Sequence, residues 1–429
     1  MIIMKTEEIY QHYLQYPHIQ TDSRKIQPGD IFFAIKGPNF NANSFAADAV
    51  AAGASLAVID EAEYRGEKTI LVEDALRQLQ LLALHHRKQF NIPFIAITGS
   101  NGKTTTRELV TTVLAGKFKT YSTEGNLNNH IGIPLTILSI RKDAEMAVVE
   151  MGANHLGEIR SYCEYTLPTH GLISNCGKAH LEGFGSLEGV KKGKGELFDF
   201  LRENNGTAFV MKEYDYLLEM SRGIPEVVYY GGDSEIRGKI LKNEPFLQAE
   251  IQMGSKSIIV NSKLVGAYNL PNLMAAACVG HYFGVENEII TSRLEAYQPT
   301  NSRSQFVELP NDNKAILDAY NANPTSMRIA IENFASIKSE NKILLLGGMA
   351  ELGATSLEEH EKIVELIGNH SWKEVVLVGG DFLNIQHPYL QFENSEKAAE
   401  WLKGQHFHHC LFLIKGSRSM KMEKTVSAF

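Results

Sequence analysis

The chain has 429 residues, with 42 basic side chains against 50 acidic ones and a formal net charge of −8. At about 150 residues per domain, that length predicts two or three domains. An apolar fraction of 44% beside 21% charged residues excludes global disorder, and the mild acidic excess excludes wholesale nucleic-acid binding.

In chain order, the start carries Lys5, Glu7 and Glu8 close behind two isoleucines, so no secretory leader is expected there. The first block, residues 1–88, holds the apolar run Ile31 to Ile35 and an Ala-rich helical stretch from Ser44 to Ala54. Strand candidates follow at Leu56–Ile59 and Thr69–Val72. The second block, residues 89–300, opens with the strand Phe94–Ile97. This runs into Thr98-Gly99-Ser100-Asn101-Gly102-Lys103-Thr104 and then a helix with Leu109, Val110, Val113 and Leu114 on one face, stopped near Gly116. Further strands are expected at Met146–Met151, Gly171–Ser174 and Ala208–Met211. The third block, residues 301–429, has strand candidates at Ala315–Tyr320, Ile343–Leu346, Val375–Val378 and Leu411–Ile414, the last three each running into glycine.

Strands alternating with helices predict an α/β protein of three domains. These are an N-terminal α/β module, a central P-loop ATPase-like domain with a parallel sheet, and a C-terminal Rossmann-like doubly wound domain. Ligands of such sheets bind beyond the carboxyl ends of the strands. Cys163, Cys176, Cys278 and Cys410 are too scattered for a disulfide framework or a zinc site. No apolar run approaches the roughly 18 residues of a spanning helix. The expectation is a chain of the reducing cytoplasm with no membrane insertion and no nucleic-acid partner.

Strand, glycine loop and helix together are the strongest chemical signal. Glycines let backbone N–H groups turn onto phosphate oxygens, and the helix N-terminus adds about half a positive charge. Lys103 can neutralise the β- and γ-phosphates, and the Thr104 hydroxyl can hold Mg²⁺. Position 97 is Ile, so the spacing is shorter than in the common phosphate loop. A bare glycine turn capping a helix would leave the lysine and the threonines unexplained. Ala147 to Gly152 reads as a buried strand ending in Glu150, an oxygen donor of the kind Mg²⁺ prefers. His180 follows another strand end; it could meet a metal or a phosphate, but on the residues alone a merely exposed loop histidine is the better reading. The run Lys191 to Glu196 reads as a solvated basic face, and the pairs His85-His86 and His408-His409 as without function.

Together these segments resemble the Mur ligases, the ATP-dependent amide-forming enzymes of peptidoglycan precursor synthesis, over essentially the whole chain. Thr21-Asp22-Ser23-Arg24 and Gly29 to Ala34 are similar to the family's UDP-sugar-peptide module, which implies substrate contacts at Ser23 and Arg24. Residues Thr98, Gly99, Ser100, Asn101, Gly102, Lys103 and Thr104 match the short-spaced ATP loop. Gly125 to Asn129 and Ile131 to Pro134 match the stretch that follows, implying substrate contacts at Asn126, Asn128 and Asn129. Glu150 and His180 match positions serving Mg²⁺, and Lys194 aligns with a carbamylated lysine that supports a second Mg²⁺. Asp318 to Pro324, Gly347 to Gly353 and Lys415 to Arg418 are similar to signatures of the branch that adds D-alanyl-D-alanine, with substrate contacts implied at Asn321 and Asn323.

The resemblance further implies nucleotide contacts from Asn269 and Arg303, catalytic roles for Lys103, His180 and Lys194, and ATP and Mg²⁺ as cofactors. The implied partners are UDP-MurNAc-tripeptide and D-alanyl-D-alanine, joined through an acyl phosphate by a monomer, with a hinge at Pro299 to Arg303. Tyr268 stands where the family commonly has histidine, and Gly348 where it commonly has aspartate. Three other readings stay open: a folylpolyglutamate synthase-like ligase, a P-loop kinase or NTPase, and a nucleotide-sensing module without turnover.

Overall fold

Long apolar runs organise the chain into three large sheets, beside a two-stranded ribbon of Lys36–Gly37 and Phe40–Asn41, and the computed structural model describes residues 2–429. The first sheet has four parallel strands in the order Ile19–Gln20, Ile31–Phe33, Leu56–Ile59, Thr69–Leu71. Ile31–Phe33 and Leu56–Ile59 are buried at every position, which is why they read as unbroken apolar runs and not as alternation. The Ala-rich stretch forms a 3₁₀ turn, Ala42–Phe45, that continues into the short helix Ala46–Ala51. Asn41 starts that turn by accepting the Asn43 N–H at 3.1 Å.

The second sheet has nine strands. Its parallel part runs Glu226–Tyr230, Thr207–Met211, His170–Ile173, Phe94–Thr98, Met146–Glu150, Thr120–Ser122. Beyond Glu226–Tyr230 the sheet continues through Ile236–Lys242 into two antiparallel partners, Gln248–Met253 and Lys256–Asn261. The sequence reading did not anticipate this extension. Its signal was the period-two burial of Gln248–Met253 and the turn at Gly254, which has φ +60°.

The third sheet has six strands, ordered Gln305–Leu309, Asn313–Asp318, Leu411–Lys415, Lys342–Gly347, Glu374–Val378, Leu390–Phe392. All neighbours are parallel except the first pair, so an antiparallel edge strand caps an otherwise doubly wound sheet. Apolar cores cover both of its faces, one built on Leu344, Phe334 and Phe382, the other on Leu345, Phe412 and Ile414.

The first two sheets share a single core that runs from Tyr13 and Phe33 to Phe94 and Ile97. Helix Ala75–Arg87 joins them, and Arg87 donates to the carbonyls of Thr166 at 2.8 Å and Leu167 at 2.9 Å. Burial pulls the Arg87 guanidinium down to about 10. Among the described residues, no helix is long and apolar enough to cross a membrane. Strands of the second and third sheets that end in Glu150, Asp318 and Lys415 bring those residues to one cleft, and the strand ending in Thr98 leads into it through Ser100.

Candidate active site

The glycine loop is built against the neighbouring strand end. Gly99 has φ +141°, and a Cβ there would lie 2.1 Å from Ser174 Oγ, so only glycine fits. Ser100 N–H donates to the Asn175 carbonyl at 2.8 Å, and Ser174 Oγ donates to the Asn101 carbonyl at 2.7 Å. Gly102 then enters at φ +79° and opens helix Lys103–Leu114, whose N-terminus has no side-chain cap. Its leading N–H groups and dipole therefore face the cleft, as an anion site requires. Lys103 Nζ folds back to donate to the carbonyls of Gly99 at 2.7 Å and Ser100 at 3.1 Å. Burial is the main cause that lowers its ammonium to about 8.

Glu150 sits opposite, 1% exposed. Its Oε1 accepts from Thr104 Oγ1 at 3.1 Å and from Asn128 Nδ2 at 2.7 Å, and its Oε2 faces Arg107 Nε at 3.4 Å. Among the described residues, no group of three or more His, Cys, Asp or Glu could hold a metal alone. One carboxylate and one hydroxyl, with phosphate and water for the remaining positions, is a donor set that fits Mg²⁺ and does not fit a softer ion.

A cleft of about 720 Å³ lies between the second and third units. It is lined on one side by Ser100, Asn101, Gly102, Lys103 and Thr104, with Asn128, Asn129, Glu150, His180 and Asn269 around them. The third unit faces them with Arg303, Asn321 and Asn323. Asn269 anchors its corner by donating to the Val265 carbonyl at 2.8 Å and accepting from Asn272 at 2.8 Å. His180, at φ +53°, pairs through Nδ1 with Glu351 of the third unit, and this contact lowers the Glu351 carboxyl. Lys178 crosses the same seam to Glu359 at 2.6 Å.

Six of the sequence-predicted site residues lie outside this lining. Thr98 is buried beneath the loop and donates to the Met151 carbonyl at 2.7 Å. Gly99 shapes the loop from behind. Lys194 is 1% exposed and donates to the carbonyl of Ala153, a lining residue, at 2.9 Å. Burial, reinforced by Lys103, lowers its ammonium to about 7, against smaller opposing contributions from Cys176, Glu158 and Glu196. Inside the run Lys191 to Glu196, Lys194 is therefore no part of a solvated face. Ser23 and Arg24 stand at the first sheet, with Arg24 held by the Asp22 carboxylate at 2.8 Å. Asn126 is on an exposed loop.

Arg107 escaped the sequence reading, as did the contacts, though not the identities, of Asp318, Lys415 and Tyr268. Arg107 lies one helical turn beyond Lys103 and faces Glu150, a spacing that marks a shared helix face. Asp318 Oδ2 pairs with Lys415 Nζ at 2.5 Å, a contact between residues 97 positions apart that no linear pattern announces. Tyr268 lines the cleft and bonds Ser304, with 2.8 Å between the two hydroxyl oxygens.

Comparison with known proteins covers the same three units. Residues 15–93 match the pattern described as Mur ligase family, catalytic domain; 97–280 match Mur ligase middle domain; 302–418 match Mur ligase, glutamate ligase domain. The UDP-N-acetylmuramoyl-tripeptide--D-alanyl-D-alanine ligase of Escherichia coli K12 is 32% identical over 421 residues, 96% of this chain and 93% of that one. The crystal structure of MurF from Acinetobacter baumannii superposes with a TM-score of 0.86 at 30% identity, covering 96% of this chain and 92% of that chain. The MurF ligase of Thermotoga maritima, in complex with ADP, superposes with a TM-score of 0.86 at 26% identity, covering 97% of each chain. With its glycine loop, its buried strand-end carboxylate and its third sheet closing over both, the chain belongs to the Mur ligase family.

Proposed function

We propose that the chain joins D-alanyl-D-alanine to UDP-MurNAc-tripeptide, with cleavage of ATP to ADP and phosphate. The observation that carries this reading is one cleft shared by the glycine loop and the Asn321 to Asn323 segment of the third sheet, in a chain whose full-length relatives are ligases of that name.

A carboxylate does not form an amide in water unaided, because oxide is too poor a leaving group. The terminal carboxylate oxygen of the tripeptide attacks the γ-phosphorus of ATP, ADP leaves, and an acyl phosphate forms. The neutral amine of the dipeptide then attacks the acyl carbon, phosphate departs with that same oxygen, and the amine loses a proton. Both steps gather negative charge, so positioned cations and N–H groups supply most of the acceleration. Lys103 leaves the carbonyls of Gly99 and Ser100 and turns to the phosphates. Thr104 and Glu150 would hold Mg²⁺, with His180 beside them, and the ion supplies charge cancellation on the triphosphate. The neutral form of Lys194 adds carbon dioxide, releasing a proton, and the resulting carbamate would hold a second ion. Arg303 and Asn269 contact the nucleotide; Ser23, Arg24, Asn126, Asn128 and Asn129 contact the UDP-sugar peptide; Asn321 and Asn323 face the dipeptide.

Three units divide the work, over residues 1–88 for the sugar peptide, 89–300 for ATP and 301–429 for the dipeptide. Closure of the third unit about Pro299 to Arg303 excludes water from the acyl phosphate. Both walls of the cleft come from one chain, which supports action as a monomer, and four free, buried cysteines support a reducing, cytoplasmic setting. Phosphate release with purified UDP-MurNAc-tripeptide and D-alanyl-D-alanine tests the reading. Release that instead requires a folate and glutamate, or that proceeds with ATP alone, overturns it.

A further inference from the structure

The linker between the second and third units carries an arginine in an unusual seat. Arg303 stands between Ser302 at φ +55° and Ser304 at φ +49°. Left-handed conformations at two non-glycine residues persist only where surrounding contacts enforce them. Here the Ser302 carbonyl accepts the Tyr320 N–H at 3.2 Å, and the Ser304 N–H donates to Asp318 Oδ1 at 3.1 Å. Both of those partners belong to the third unit. The contact from the second unit is Tyr268, whose hydroxyl lies 2.8 Å from Ser304 Oγ.

Tyr268 is itself closely seated. It belongs to the turn Ala267–Asn269 that leads into helix Leu270–Tyr282. Its ring packs on the bare backbone of Gly266, where, at φ +95°, a Cβ would lie 2.3 Å from Tyr268 Cε1. Ser304, the receiving residue, is 8% exposed. The bond therefore ties two well-packed backbones across the hinge.

What the turn presents is the Arg303 guanidinium. It stacks 3.8 Å over the Tyr320 ring, and its Nε is buried without a hydrogen-bond partner. A buried, unpaired cationic N–H is costly unless an acceptor completes it. Arg303 lines the same cleft as Lys103, and its charge is among those opposing the charged form of Lys103. An anion between the two side chains would relieve both.

We infer that Tyr268 is a positioning residue for nucleotide charge: through Ser304 it holds Arg303 toward the terminal phosphate, opposite Lys103. This rests on the ligase reading of the cleft. Tyr268 itself touches no reacting atom. Its hydroxyl acts on the arginine through the serine, and it does so only while the third unit is seated on the second.

Calorimetric titration with Mg²⁺ and either a non-hydrolysable ATP analogue or ADP tests this on the full chain. Tyr268→Phe removes only the hydroxyl. It is expected to weaken the ATP analogue about fivefold or more while ADP changes less than about twofold, and Arg303→Ala is expected to show the same bias. The double variant should bind no worse than Arg303→Ala alone, since one residue works through the other. Ser304→Ala removes the bond from its other end and should reproduce the pattern, so it replaces Tyr268→Phe if that variant does not fold. Equal weakening of both nucleotides, or losses that add in the double variant, overturns the inference. A wild-type chain that binds the analogue but joins no dipeptide overturns the ligase reading, and the affinity pattern still decides for or against the clamp.

Discussion

Asn323 donates its side-chain amide to Asn101 Oδ1 over 2.8 Å, joining the first turn of a helix in the third unit to the glycine loop of the second. The same side chain caps its own helix, with Oδ1 accepting the Ser326 N–H at 2.9 Å. One residue thus serves local structure with its oxygen and the contact between the second and third units with its nitrogen.

Those two roles separate by substitution. Asn323→Asp keeps the capping acceptor, loses the donor and sets an anion against a phosphate site. Thermal stability should hold, while the KM for ATP rises about tenfold. Asn323→Ala loses the cap as well and should cost about 1 kcal/mol of stability. Melting curves beside ATP titrations check both. An Asn323→Asp variant with wild-type ATP kinetics would remove Asn323 from the closure.

Lys103→Ala should lower kcat by about 10² to 10³ with the fold intact, the usual loss when one group stabilising transition-state charge is removed. ADP release in a steady-state assay reads this directly. Near-normal turnover contradicts the role given to Lys103.

Lys194 predicts a dependence on carbon dioxide. Its ammonium is lowered to about 7 by burial, so the neutral, carbon-dioxide-reactive amine is the minority form at pH 6 and the majority at pH 8. Stripping dissolved carbon dioxide should therefore depress activity, and added bicarbonate should restore it more fully at pH 8. Lys194→Ala should be inactive and partly rescued by short carboxylic acids. Absence of rescue would leave Lys194 a plain structural lysine.

His360 predicts an acid limb in stability. It is 0% exposed; its Nε2 accepts the Met349 N–H at 2.9 Å, and its Nδ1 faces the Ser356 carbonyl at 2.7 Å. That pattern demands the neutral ring, and burial lowers its pKa below the ordinary 6.5, against smaller opposing contributions from the Ser356 carbonyl and Asp381. The unfolded chain takes up a proton that the folded chain refuses. The contribution is therefore complete above pH 6.5 and is lost as pH falls through that value. Thermal melts from pH 7.5 to 5 should fall less steeply in His360→Gln than in the parent. Parallel curves would contradict this.

Much of the fold was legible because buried parallel strands write themselves as unbroken apolar runs. Phe94–Thr98, Leu56–Ile59 and Glu374–Val378 stand within a residue of where the sequence puts them. The antiparallel extension at residues 236–261 was not, since Gln248–Met253 is buried only at every second position and its two neighbours at one position each, so polar positions dilute the signal. The glycine loop was readable because its chemistry is contiguous. The Lys415–Asp318 pair was not, because it joins neighbouring strands far apart in sequence, and the His180–Glu351 contact and the Tyr268–Ser304 bond were not, because each exists only after the third sheet has docked.

In ligation the triphosphate activates a carboxyl group for amide formation. The most direct test uses tripeptide substrate labelled with oxygen-18 in its terminal carboxylate, with mass analysis of the phosphate released during ligation. An acyl phosphate transfers one carboxylate oxygen, so each phosphate should carry one heavy atom for every amide bond formed. Amide formation with unlabelled phosphate would contradict the account.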